Sequence, residues 1–166
     1  RTNLVIDQGF KMAECKYCSK RGFFLSTDSI GLCSVCSAAF RMEVTQKASL
    51  IVESGRIVEA SKKLPTRISR CNLVIQLASD LIKYEQRGIW NLEFSPQRLV
   101  QSFTARREEL YLEDAKSVAA DAIKKARIAS SARSAANLLG KAVVKIEGVL
   151  GGVLDKTPFH NLCDSL

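Results

Sequence analysis

Cys15-Lys16-Tyr17-Cys18-Ser19-Lys20-Arg21-Gly22-Phe23-Phe24-Leu25-Ser26-Thr27-Asp28-Ser29-Ile30-Gly31-Leu32-Cys33-Ser34-Val35-Cys36 is the stretch that decides the reading of this chain. Two Cys-x2-Cys pairs are separated by fourteen residues, close to the spacing of a four-thiolate zinc site. Each pair folds as a tight turn that aims two sulfurs at one point, and two such turns complete a tetrahedron around Zn²⁺ with Zn–S distances of about 2.3 Å. No fifth ligand lies nearby and no coordination position is left open, so Cys15, Cys18, Cys33 and Cys36 are expected to hold one structural zinc. Between the pairs, apolar Arg21–Leu25, turn-forming Ser26–Ser29 and returning Ile30–Leu32 predict a hairpin.

Other uses of four cysteines fit less well. A disulfide framework lacks secretory marks around it, and a thioredoxin-like redox pair lacks a βαβ pattern. A rubredoxin-type iron site needs the same four thiolates, and ligand type alone does not separate the two metals. The Pro and Gly usual around rubredoxin knuckles are, however, missing.

From Ser37 the pattern turns helical, with Phe40, Val44, Ala48, Ile51, Gly55 and Val58 at three- and four-residue steps. The second Cys pair therefore sits at or just before a helix N-terminus, where unpaired N–H groups and the positive dipole end favour thiolates. A knuckle, a hairpin and a helix opened by the second pair resemble the treble-clef class of four-Cys zinc fingers over roughly residues 13–45. That resemblance implies zinc ligation by Cys15, Cys18, Cys33 and Cys36. It implies no particular function, since treble clefs bind DNA, RNA, lipids or proteins, or act only as staples. Four thiolates on Zn²⁺ leave a formal charge of −2, which Lys11, Lys16, Lys20 and Arg21 compensate.

Beyond the finger a mostly α fold is expected: a helical hairpin or bundle followed by a long C-terminal helix. Lys62–Thr66 interrupts the first helix, with Thr66 as the N-cap of a second whose stripe is Ile68, Cys71, Ile75, Ala78 and Ile82 and whose stop is Arg87-Gly88. Cys71 on that stripe reads as a buried, inert thiol. Ile89–Phe94 is an aromatic-rich connector whose Trp90 and Phe94 plug the end of the hairpin. Ser95-Pro96 opens a third helix, Ser as N-cap and Pro at the first position. A helical pattern then runs to about Glu147, with Ala132, Ala136, Leu139, Val143, Ile146 and Leu150 forming a short heptad-like seam. The expected organisation is a processing or cloning remainder over 1–11, because Met12-Ala13-Glu14 reads as a translation start, then a finger over 12–45. A helical hairpin over 37–94, continuous with the finger helix, is followed by a long helical segment over 95–152 and a tail over 153–166 in which His160 and Cys163 are ordinary tail residues.

Composition narrows the function. The 166 residues carry 25 Lys+Arg against 17 Asp+Glu, a net charge of +8 and a pI of about 9.3. Between Ala122 and Ile146 stand Lys124, Lys125, Arg127, Arg133, Lys141 and Lys145 with no acid, a stripe suited to phosphates as well as to a solvated helix face. A single His, in the tail, offers no triad, and Gly140-Lys141-Ala142 is no phosphate loop, so no enzyme is expected. The longest uncharged run, Ser29–Phe40, is too short and polar to span a bilayer, and a cytoplasmic protein without integral membrane contact is expected. The expected function is a nucleic-acid-binding module with a structural zinc. The rival is a protein-interaction or self-association module acting through the C-terminal seam, with zinc as a staple, and a candidate for the N-terminal piece of a larger multidomain protein.

Overall fold

The computed structural model describes residues 12–90 and 93–166; the expectation for 1–11, and the part of the connector formed by Asn91 and Leu92, lie outside the described residues. Strand β1 (Ala13–Glu14) pairs antiparallel with β2 (Arg21–Gly22), Ala13 opposite Gly22 and Glu14 opposite Arg21. Five α-helices follow among the described residues: α1 (Ser34–Ala60), α2 (Leu64–Gln86), α3 (Pro96–Arg127), α4 (Ala132–Glu147) and α5 (Thr157–Asp164). The mostly helical class expected from the sequence is what the chain adopts.

Helix α1 forms because its apolar positions repeat at helical steps, burying Phe40, Val44, Ile51 and Val58 along one face. Glu43 pairs with Lys83 toward one end of α1 and Val58 O accepts from Arg67 toward the other, so α2 runs antiparallel to α1. Thr66 is not the N-cap of α2: Lys63 holds that position without a side-chain bond, and Pro65, pre-set for helical φ, starts the helix earlier. Gly88 stops it at φ +66°, letting Ile89 fold under the helix end with its N–H donated to Tyr84 O at 3.1 Å. Ser95 caps α3 as expected, accepting from Arg98 N–H at 3.2 Å, and its own hydroxyl donates to Glu85 at 2.6 Å. With Arg107 bonded to Asn72 further along, α3 runs antiparallel to α2.

Helix α3 is longer than the pair it lies on. Leu110, fully buried with Val58 and Cys71, is its last anchor in the α1–α2 core. Beyond it Ala115 and Ala119 meet Ile146, Val153 and Phe159 in a second core made by α4 and α5. The long C-terminal helix expected from the sequence is therefore two helices. The chain breaks at Ile128–Ser131, where Ser131 adopts extended φ and ψ and caps α4 by accepting from Ser134 N–H at 3.2 Å. The helical seam is spent inside the chain: Ile146 is buried against α3, whereas Ala132 and Ala136 are exposed. Residues 153–166 are not a loose tail either, because burying Phe159 and Val153 docks α5 onto α3. Within α5, His160 is exposed and Cys163 half-buried.

Candidate metal centre

The four cysteine sulfurs of Cys15, Cys18, Cys33 and Cys36 lie within 4.8 Å of one another, and all six cysteines of the chain are free of disulfide bonds. Tetrahedral thiolates on zinc stand about 3.8 Å apart. Cys18 Sγ and Cys33 Sγ are at 4.0 Å, so the set is placed for one ion. Four cysteines whose spacing suggested a shared site lie close enough together to hold one metal ion.

The first pair is held by its own turn. Cys15 N–H donates to Lys20 O at 2.9 Å and Ser19 N–H to Cys15 O at 2.8 Å, with Ser19 at φ +58° closing the knuckle. This turn, and not the stretch after it, is the hairpin: β1 and β2 close around the first pair, while the expected strand Arg21–Leu25 is only Arg21–Gly22. A strand would send Phe23 and Phe24 to opposite faces, and neither face meets a core here, so both are exposed. The return leg is reduced to one bridge, Thr27 to Cys33.

The second pair is delivered by a loop and a helix end. Asp28 Oδ1 accepts from Ile30 N–H at 3.1 Å and Leu32 N–H at 2.9 Å, fixing the approach to Cys33. Gly31 sits at φ +83°, and its carbonyl accepts from Lys16 N–H at 2.9 Å, tying the two halves together. Cys33 is the N-cap of α1 and Cys36 lies in its first turn, as the sequence pattern indicated.

The thiols of the cluster differ sharply in acidity. Burial alone would raise the Cys15 thiol, yet the backbone N–H groups of Cys18, Cys33 and Tyr17 hold it down to about 6. Cys33 N–H reaches Cys15 Sγ at 3.3 Å. Burial and then the neighbouring thiols push Cys36 up to about 12, because the cluster cannot accommodate several bare thiolates side by side. A divalent ion held by the four sulfurs would relieve that conflict by stabilising the thiolates.

Sequence reasoning missed how the centre is docked. Tyr17, inside the first Cys pair, stacks at 5.4 Å on Tyr84 of α2, and Arg87 donates to Tyr17 O at 2.7 Å with its guanidinium 4.8 Å from the Tyr17 ring. Tyr84 in turn donates to Glu43, which also receives Lys47 at 2.9 Å and Lys83 at 3.1 Å. Trp90 packs edge-on against Phe40 and Phe94 beside this network, closing the end of the helices as expected. An aromatic residue between paired cysteines was the one available signal.

The basic residues lie elsewhere. Lys124, Lys125 and Arg127 occupy the last turn of α3 and Arg133 the first turn of α4, flanking the hairpin tip. Lys125, Lys141 and Lys145 line a groove of about 220 Å³ between α3 and α4, floored by Val118, Ala122, Leu138 and Ala142. Lys125 is paired there with Asp121 at 2.6 Å. The break at Ile128–Ser131 divides the six cations between two antiparallel helices, so they do not form one stripe on one helix. The 32 residues of α3 span about 48 Å, with the metal centre beside the helix start and the cations on its far third.

No known protein family, curated protein or solved structure matches this chain. Among the described residues no helix is long and apolar enough to cross a membrane.

Proposed function

We propose that this protein is a non-enzymatic nucleic-acid-binding module whose two ends divide the work. A structural zinc in a treble-clef-like finger staples α1 to α2, and the α3–α4 hairpin attracts the phosphate backbone. The observation that carries the reading is the distribution of charge. Residues 115–146 hold seven cations against one acid, a net +6 of the chain's +8. Lys124, Arg127, Arg133, Lys141 and Lys145 have no carboxylate within 4.0 Å among the described residues. Unpaired cations concentrated on one rigid hairpin are the electrostatic footprint of phosphate binding.

The finger is a poor candidate for that role. Residues 12–42 carry Lys16, Lys20, Arg21 and Arg41 against Glu14 and Asp28, and a four-thiolate zinc at −2 brings the unit to neutrality. Arg21 is moreover paired with Glu14 at 2.8 Å. Zinc binding by this donor set is tested by elemental analysis, and the hairpin's role by gel shift at low and physiological salt. Binding that survives high salt unchanged would contradict it.

A second reading is favoured by one observation at the finger. Phe24 is fully exposed, and Phe23, Val35 and Met42 are 74%, 76% and 71% exposed, more large apolar surface than so small a unit ordinarily leaves in water. It supports a protein-docking role for the metal end, either to a separate partner or to further sequence of a longer chain. Phe24→Ser abolishing capture of such a partner while leaving zinc content intact would support it.

A further inference from the structure

We infer that the ligand of the α3–α4 hairpin is double-stranded nucleic acid, gripped through its phosphates without reading bases. The inference rests on the nucleic-acid reading above and deepens it.

Single-stranded ligands are held by combining cations with aromatic platforms on which bases stack. The hairpin offers no such platform. No Phe, Tyr or Trp occurs between Leu112 and Pro158. The aromatics that bound this stretch are committed to packing: Phe159 is 2% exposed in the second core, and Tyr111 is packed against the same cluster. The groove floor is aliphatic, and its rim is Lys125, Lys141 and Lys145, with Asp121 paired to Lys125 so that Lys141 and Lys145 are its unpaired cations. A lysine ammonium is a compact point charge that satisfies a phosphate but does not discriminate a base edge.

Geometry agrees with a regular phosphate array. Lys141 and Lys145 stand one helical step of four apart on α4, a rise of about 6 Å. Each strand of a duplex presents a phosphate for about every 3.4 Å of its axis, a dense regular array that two cations set this close together can meet. Both are carried by a helix anchored by buried Ile146, so the points from which their stems reach out are set before binding. Fixed attachment points suit a regular backbone; a flexible single strand would need base contacts to offset its ordering. Exposed Ile128 at the hairpin tip, between Arg127 and Arg133, adds an apolar contact suited to a groove floor.

The test is fluorescence anisotropy of the full zinc-loaded chain with a labelled 20-base-pair DNA duplex, an RNA duplex of equal length and the matching single strands, between 50 and 200 mM salt. With five phosphates neutralised by the five unpaired cations, duplex affinity is expected to fall about 500-fold across that range. Lys141→Ala with Lys145→Ala should reduce the fall to about 40-fold, and the duplex should bind at least tenfold tighter than either single strand. Equal or tighter binding of a single strand would overturn the duplex inference and leave the nucleic-acid reading standing. An unchanged salt slope in the double variant would overturn the assignment to this groove. No binding to any of the four at 50 mM, or capture only by phosphatidylserine vesicles, would overturn both.

Discussion

Ser54 is expected to be a stability defect that Ala repairs. It occupies a core position of α1, between Ile51 and Val58, and is 1% exposed, yet its hydroxyl has no hydrogen-bond partner. Its helical neighbour Gly55 faces Phe103, leaving no room for relief on that side: a Cβ at Gly55 would stand 3.4 Å from the ring. An unsatisfied buried hydroxyl costs about 1–3 kcal/mol, and Ala is the better helix former by about 0.5 kcal/mol. The void left by one oxygen subtracts from this gain, so Ser54→Ala should stabilise by about 1–2 kcal/mol. For a chain of this size that raises Tm by roughly 2–8 °C. Urea unfolding with saturating zinc, followed through the single Trp90, should show a higher midpoint at unchanged slope. Ser79→Ala is the matched control, because that exposed hydroxyl already donates to Ile75 O at 2.7 Å; it should stay within about 0.5 kcal/mol of wild type. A Ser54→Ala variant less stable than wild type would refute the reasoning, for it would mean the hydroxyl is satisfied in solution.

The remaining predictions concern the metal end. Gly31→Ala forces φ +83° on a residue with a Cβ, which would meet the Lys16 side chain at 2.8 Å; a loss of about 1–2 kcal/mol and faster zinc removal by a chelator are expected, and unchanged chelation kinetics would count against the loop's role. Glu43, despite burial that would raise it, is held down to about 2 by Tyr84, Lys47 and Lys83. Because the folded value is depressed, its contribution is full above about 4.5 and is lost as pH falls toward 2; Glu43→Gln should cost on the order of 2–3 kcal/mol at pH 7, with the gap to wild type closing over that acid range. Phe24→Ser should leave folding within about 0.5 kcal/mol, since a fully exposed side chain contributes no burial; a larger loss in thermal unfolding would mean that the finger tip is packed in solution.

What could be read without coordinates follows from which interactions are local. Cys-x2-Cys is a local turn, so the ligand set was legible, as were the Ser95-Pro96 helix start and the Gly88 stop, each fixed by its own backbone chemistry. The break at Ile128–Ser131 was not: Ala-rich helix on both sides masks a turn whose only mark is Ser130-Ser131. The docked α5 escaped because its anchor, Phe159, is a single aromatic whose partners Ala115 and Ala119 lie forty or more residues away. The hairpin was placed after the first Cys pair instead of around it because Phe23-Phe24 carries high strand propensity with no core to satisfy it. The separation of the basic residues from the metal is tertiary: nothing local to Lys141 tells that it packs beside Ala122, about 39 Å along α3 from the helix start.

The central claim is that four thiolates hold one zinc that staples the finger to α1 and α2. Elemental analysis of the purified chain beside its Cys33→Ser variant tests it most directly. The account predicts one zinc per wild-type chain and a large loss of it in the variant. A full zinc equivalent retained by Cys33→Ser, or a wild-type chain that carries no metal, would contradict it.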